Sequence, residues 1–162
     1  MSLFVFPGSF DPFTRGHLDL ATRALSICDR LVVAVAVNPG KRALFLPDER
    51  VELIRRSLGE ELEPRTEVMA WNGLVADLVA KTGADAVVRG IRGAADLDWE
   101  LSLHEANRAL APGFETVLLP CSPELRWISS SLVRELLDHG RDVSPLVPDA
   151  VAGDVNARGK KR

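Results

Sequence analysis

The sequence predicts an α/β fold, a five-stranded parallel sheet with helices on both faces. Three observations predict it. Apolar runs and helical patterns alternate along the whole chain, and regular β–α alternation builds a parallel sheet through right-handed crossovers. The run Leu31–Val37 is aliphatic, β-branched and free of polar alternation, as in a strand covered on both faces. A glycine-bearing loop, Gly8–His17, joins an apolar run to an amphipathic helix pattern, the junction expected of a β–α unit.

The elements follow in order. Leu3–Phe6 reads as a strand, and Gly16–Ser26 as a helix with Leu18, Ala21 and Leu25 on one face. Leu31–Val37 is the second strand, and Asn38-Pro39-Gly40 breaks the chain. Pro47-Asp48-Glu49 starts a second helix, with proline near its first position and acids near its positive end. Val51, Ile54 and Leu58 supply its apolar stripe. Glu67–Ala70 is a third strand, and Leu74–Thr82 a helix with Gly83 at its C-terminal cap. Ala86–Val88 is a fourth strand, and Asp96 is expected to cap a long helix that ends at Leu110 before Pro112-Gly113. Thr116–Leu119 is a fifth strand. Ser129-Ser130-Ser131 begins a helix that runs to His139 and is closed by Gly140. From Ser144 a short helix and a loose tail are expected. No repeat, low-complexity segment or linker interrupts the chain, so residues 1–162 read as one domain, with about 151–162 a loose C-terminal tail.

Composition narrows the function. Apolar residues make up 46% and charged residues 27%, the balance of a soluble globular protein. A net charge of −3, from 20 basic and 23 acidic residues, counts against a nucleic-acid binder but not against small anionic substrates. Leu31–Val37 is far too short to cross a bilayer, and no membrane partner is expected. No secretion signal is read at the N-terminus, so a cytoplasmic location is expected, with Cys28 and Cys121 as buried thiols. The basic end Gly159–Arg162 reads as a frayed terminus.

In parallel sheets the ligand lies beyond the carboxyl ends of the strands. Gly8–His17, Lys41, Asn72–Leu74, Arg89–Arg92 and Ile128–Ser131 each follow a strand and are expected to converge there. The first loop aims backbone N–H groups and a helix N-terminus at one point, which suits a phosphate, and His17 in the first helical turn aims a ring N–H at the same point. Arg89 and Arg92, three apart around Gly90, suit two separate phosphates because each planar fork donates several hydrogen bonds to oxyanions. Ser129, Ser130 and Ser131 at a helix start offer spare hydroxyls and free N–H groups, a second anion cradle. Lys41 with Arg42 is a weaker signal. Glu100 reads equally as an exposed helix acid and as a ligand contact. His104 and His139 read as surface residues. Trp71, Trp99 and Trp127 read as packing residues, with Trp127 beside the serine cradle.

These pieces resemble the phosphopantetheine adenylyltransferase family, among the nucleotidyltransferases with the T/H-x-G-H signature. The resemblance rests on Gly8-Ser9-Phe10-Asp11-Pro12, Thr14 with Gly16-His17, Lys41, Arg89-Gly90-Ile91-Arg92, Glu100, Asn107-Arg108 and Ile128-Ser129-Ser130-Ser131, and it runs from Phe4 to Pro148. Ser9 stands where a threonine is frequent, Val75 where a longer apolar residue is common, and Leu125 where some relatives carry an aromatic ring.

The resemblance implies a Rossmann-like dinucleotide-binding fold and transfer of adenylate from ATP to 4′-phosphopantetheine, giving dephospho-coenzyme A and pyrophosphate. It implies a Mg²⁺ requirement without metal ligands from protein side chains, and a homohexamer. Coenzyme A is a candidate feedback ligand. By the same resemblance, His17 stabilises the transition state. ATP falls to Ser9, Phe10, His17, Gly90, Ile91, Arg92, Glu100, Leu125, Arg126, Trp127, Ile128, Ser129, Ser130 and Ser131. The acceptor falls to Ser9, Lys41, Leu74, Val75 and Arg89. Two rivals are an adenylyltransferase for nicotinate or nicotinamide mononucleotide, whose members usually carry histidine where this chain has Thr14, and a nucleotide-sensing module without turnover.

Overall fold

The computed structural model describes residues 1–37, Gly40 and 43–160. Five strands, β1 (Leu3–Gly8), β2 (Arg30–Ala36), β3 (Thr66–Trp71), β4 (Ala86–Ile91) and β5 (Thr116–Pro120), form one parallel sheet in the order β3-β2-β1-β4-β5. The helices are α1 (Arg15–Ala24), α2 (Pro47–Leu62), α3 (Val75–Thr82), α4 (Ala94–Leu110), α5 (Ser130–Asp138) and α6 (Asp149–Gly159). The expected α/β class and parallel sheet are both present.

Alternation along the strands splits the core into two layers. Phe6, Leu31, Val33, Val35 and Val88 face α1 and α2, where Leu20, Ala21, Ala24, Ile54 and Leu58 meet them. Val5, Val32, Ala34 and Val87 face the other way, against Leu78 of α3 and Phe114. The strand order reverses between β1 and β4, and a crevice opens beyond their carboxyl ends.

Three expectations change. β4 runs past Val88 to Ile91, so Arg89 and Gly90 belong to the strand and pair with Leu118 and Leu119 of β5. Gly90 lets α1 pack close there, because a Cβ would lie 2.4 Å from Leu20 Cδ1 and force that side chain to shift. The cap of α4 is Gly93 rather than Asp96. Asp96 sits in the first turn and reaches back to accept the Arg92 backbone N–H at 2.9 Å. The loose tail expected over about 151–162 is instead α6 through Gly159. Val151 and Val155 lie one turn apart on one face and are fully buried against α5, Leu44, Phe45 and Leu53. Arg56 of α2 holds Asp154 at 2.9 Å on the outside. Two small buried valines among polar residues give a faint apolar stripe, which hid the helix in the sequence.

Candidate active site

The loop from β1 to α1 is fixed from several sides. Thr14 caps α1: its Oγ1 accepts from the His17 N–H at 3.4 Å, while His17 Nδ1 accepts from the Thr14 N–H at 3.0 Å. A backbone N–H only donates, so Nδ1 is the acceptor and the neutral ring carries its proton on Nε2. The ring packs edge-on to Phe10 at 5.1 Å and stacks on Phe13 at 5.5 Å. Burial, with the Arg92 charge nearby, lowers its pKa to about 4. His17 is therefore neutral at physiological pH, with one N–H to give.

Phe10 holds a positive φ of 49° and is buried against Phe6 and Phe13. Gly8 makes room for it, since a Cβ there would lie 2.8 Å from the Phe10 ring. Buried Asp11 accepts the N–H groups of Leu44 and Phe45 at 2.8 and 2.9 Å. Arg50, equally buried, donates to Phe45 O and Ser9 O, and Arg134 donates to Asp11 O. One carboxylate and two arginines thus tie the β1–α1 loop to the segment before α2 and to α5.

The opposite wall belongs to β4 and α4. Arg89 pairs with Glu100 through two 2.8 Å hydrogen bonds and also donates to Pro7 O at 3.1 Å. Arg92 pairs with Asp96 at 3.1 Å. At the start of α5, Ser129 caps the helix by accepting the Leu132 N–H, Ser130 donates to Pro12 O at 2.8 Å, and Ser131 accepts from Arg134. All three hydroxyls have protein partners, but only Ser130 donates, so the O–H groups of Ser129 and Ser131 can still turn to an anion. The start of the helix adds to them, because its first N–H groups lack intrahelical acceptors.

These walls enclose a cleft of about 420 Å³. Of the expected residues it brings together Ser9, Phe10, His17, Arg89, Gly90, Arg92, Glu100, Leu125, Ile128, Ser129 and Ser130. Ile91, Arg126, Trp127 and Ser131 follow or flank these residues and do not line the cleft. Val75 lines a smaller adjoining pocket of about 70 Å³ that shares Pro7, Arg89 and Glu100 with it. Leu74 is exposed at the N-cap of α3. Lys41 lies outside the described residues.

Other readings shift. Glu100 is buried, 7% exposed, rather than an open helix acid. His104 bonds Thr116 Oγ1 at 3.1 Å, half-buried, rather than lying free on the surface. Trp99 and Trp127 are 63% and 59% exposed rather than packed. Cys121 is half-buried and lines the cleft. Asp96 and Trp99, not expected as site residues, line the cleft too. The spacing of Asp96 and Glu100, four apart on a helix after an Arg-x-x-Arg strand end, was the signal available for Asp96.

Known proteins are similar to this chain. The family description Cytidylyltransferase-like matches residues 5–136. A phosphopantetheine adenylyltransferase of Brucella ovis is 42% identical over 163 residues, covering 99% of both chains. One from Mesorhizobium japonicum is 41% identical over 157 residues, covering 95% of both. The chain belongs to the phosphopantetheine adenylyltransferases. The fold of this family recurs in more distant solved structures. A bifunctional NMN adenylyltransferase/ADP ribose pyrophosphatase of Francisella tularensis superposes with a TM-score of 0.73 at 17% identity, over 98% of this chain and 49% of that one. The same bifunctional protein has been solved in complex with AMP and a manganese ion. A putative nicotinate-nucleotide adenylyltransferase of Vibrio parahaemolyticus superposes with a TM-score of 0.66 at 17% identity, over 98% and 96% of the two chains. No helix among the described residues is long and apolar enough to cross a membrane.

Proposed function

We propose that this enzyme transfers adenylate from ATP to 4′-phosphopantetheine, giving dephospho-coenzyme A and pyrophosphate, the penultimate step of coenzyme A synthesis. The observation that carries the reading is the convergence of a neutral imidazole donor and two arginines on one cleft at the sheet's switch point, in a chain 42% identical to that family over its length.

The acceptor phosphate is already an anion, so no base is needed. One of its oxygens attacks the α-phosphorus of ATP in line. The bond from that phosphorus to the bridging oxygen breaks, and pyrophosphate leaves with the electron pair. Such chemistry rests on positioning and on neutralising charge at phosphorus. His17 Nε2–H donates to the α-phosphate as charge builds there. The N-termini of α1 and α5 add partial positive charge on the same side. Ser9 and Phe10 hold the reacting end. Arg89 and Lys41 take the acceptor phosphate. Arg92, Gly90, Ile91, Glu100 and the segment Leu125–Ser131 take ATP, and Leu74 and Val75 face the pantetheine arm.

Among the described residues no three His, Cys, Asp or Glu side chains gather into a metal cage. The two carboxylates in the cleft, Asp96 and Glu100, are each engaged by an arginine. Mg²⁺, which the resemblance implies, would be held here mostly through ATP and water and would supply charge neutralisation at the triphosphate. We also read the assembly as a homohexamer, coenzyme A as a feedback ligand that shares the product's groups, and the location as cytoplasmic.

Pyrophosphate release with ATP and each acceptor tests the reading. Release with 4′-phosphopantetheine and none with nicotinate or nicotinamide mononucleotide is expected. The reverse preference, or no release with any acceptor, would overturn it.

A further inference from the structure

Two loops leave the outer edge of the sheet on the acceptor side. One follows β2 and carries Lys41, and the other follows β3 and carries Leu74 just before α3. Trp71, the last residue of β3, holds the base of both. Its backbone carbonyl accepts the Val37 N–H at 3.0 Å, so the pairing of β2 with β3 continues one residue past the end of β2. Its indole Nε1–H donates to Leu74 O at 2.9 Å. We propose that Trp71 is a positioning residue for the acceptor: its indole latches the 72–74 turn to the sheet and so sets Leu74 and Val75 against the arm of 4′-phosphopantetheine. This role rests on the adenylyl transfer argued above, and it goes to a ring that the sequence offered only as packing.

The local geometry supports the latch. Leu74 is the N-cap of α3, and no side-chain hydrogen bond caps the helix there. A leucine cannot accept the free N–H groups of a first turn. Leu74 O takes the Leu78 N–H at 3.2 Å, and the indole N–H meets its second lone pair. The start of α3 is thus tied to the end of β3 from outside the helix. Gly73 lets the turn pass close to the ring, since a Cβ there would lie 3.3 Å from indole Cε2, Cζ2 and Nε1. Lys81, near the far end of α3, places Nζ 5.2 Å from the ring centroid and helps to hold the indole in place. The ring also packs, as Val75 and Val79 do, against the core layer of Leu78 and Phe114.

The latch answers a physical problem. Val75 lines the small pocket beside Arg89, but Leu74 is 55% exposed. Burial does not hold Leu74, and the glycine before it leaves the turn free to move. A substrate arm that met a loose turn would spend binding energy on ordering it. Holding the carbonyl of the same leucine removes part of that cost before the substrate arrives.

Steady-state kinetics of pyrophosphate release, with ATP and 4′-phosphopantetheine varied in turn, tests the latch. Trp71→Phe keeps a ring and loses the N–H. It is expected to raise KM for 4′-phosphopantetheine about fivefold, the weight of one neutral hydrogen bond, with kcat and KM for ATP within about twofold. Trp71→Ala also removes the ring and is expected to raise the same constant further, so phenylalanine gives partial rescue. Thermal melts of both variants read the fold separately. A lower melting temperature with an unchanged acceptor KM would mark the ring as packing alone and overturn the proposal. So would a rise in KM for ATP equal to the rise for the acceptor. The wild-type enzyme is the control on the underlying reading. If it releases no pyrophosphate with 4′-phosphopantetheine, that reading and the latch fall together. If it does, and Trp71→Phe leaves the acceptor KM unchanged, only the latch falls.

Discussion

The two walls of the cleft are held by different forces. On the β1–α1 side, His17 is locked by a backbone hydrogen bond, a capping box and three phenylalanine rings, and the group it presents is neutral. On the β4–α4 side, Arg89 and Arg92 are held by ion pairs, and what they present is charge. The first wall is fixed before any substrate arrives. The second is held by ion pairs that an entering phosphate would share. A rigid neutral donor suits the atom where charge develops, and adjustable cations suit the groups that bring charge in.

The largest expected effect falls on the fixed wall. His17→Ala should lower kcat by about 10²- to 10³-fold, the usual loss for a donor that meets developing charge, with both KM values changing far less. Near-normal turnover would remove His17 from the chemistry. Asp11→Ala comes next. It strands the N–H groups of Leu44 and Phe45 and the buried Arg50, and should cost about 3 kcal/mol of stability in a urea melt. A loss under about 1 kcal/mol would mean that the tie between the two loops is slack.

On the adjustable wall, Arg89→Ala should raise KM for the acceptor about tenfold, with kcat less affected. A rise confined to ATP would reverse the roles of the two arginines. Salt should separate the walls without mutation. From about 0.05 to about 0.5 M ionic strength, both KM values should climb while kcat at saturation stays nearly level, because exposed charges are screened and a buried neutral donor is not.

A further expected effect is pH-dependent. Folding lowers the His17 pKa from 6.5 to about 4. Between these values the unfolded chain binds more protons than the folded one, so stability increases with pH across that window and is lost as pH falls through it. His17→Gln removes this contribution. Its stability should fall less steeply than the wild type's between pH 6.5 and pH 4, by urea melts at several pH values. Parallel slopes would mean that the ring is not buried as described.

Much of this contrast was legible in the sequence, and the part that was not has a physical reason. Gly8–His17 could be read because a glycine-bearing loop running into a helix start is local, written within ten residues. Arg89 and Arg92 could be read because they lie at the end of a buried apolar run. The partners of those arginines were harder. Asp96 looked like a helix cap and Glu100 read equally as an open acid and as a ligand contact, because a pairing between β4 and α4 depends on how the helix lies over the sheet. The Ser130 hydroxyl looked free for the same reason: its acceptor, Pro12 O, arrives through tertiary contact. α6 was read as tail because its helix depends on Val151 and Val155 meeting α5 and α2, not on an apolar stripe of its own.

The most direct test is ¹⁵N NMR of the His17 ring across pH 3.5 to 8. The account predicts a ring protonated at Nε2 and bare at Nδ1, gaining its second proton only near pH 4. A proton on Nδ1, or a titration at 6.5 or above, would contradict it.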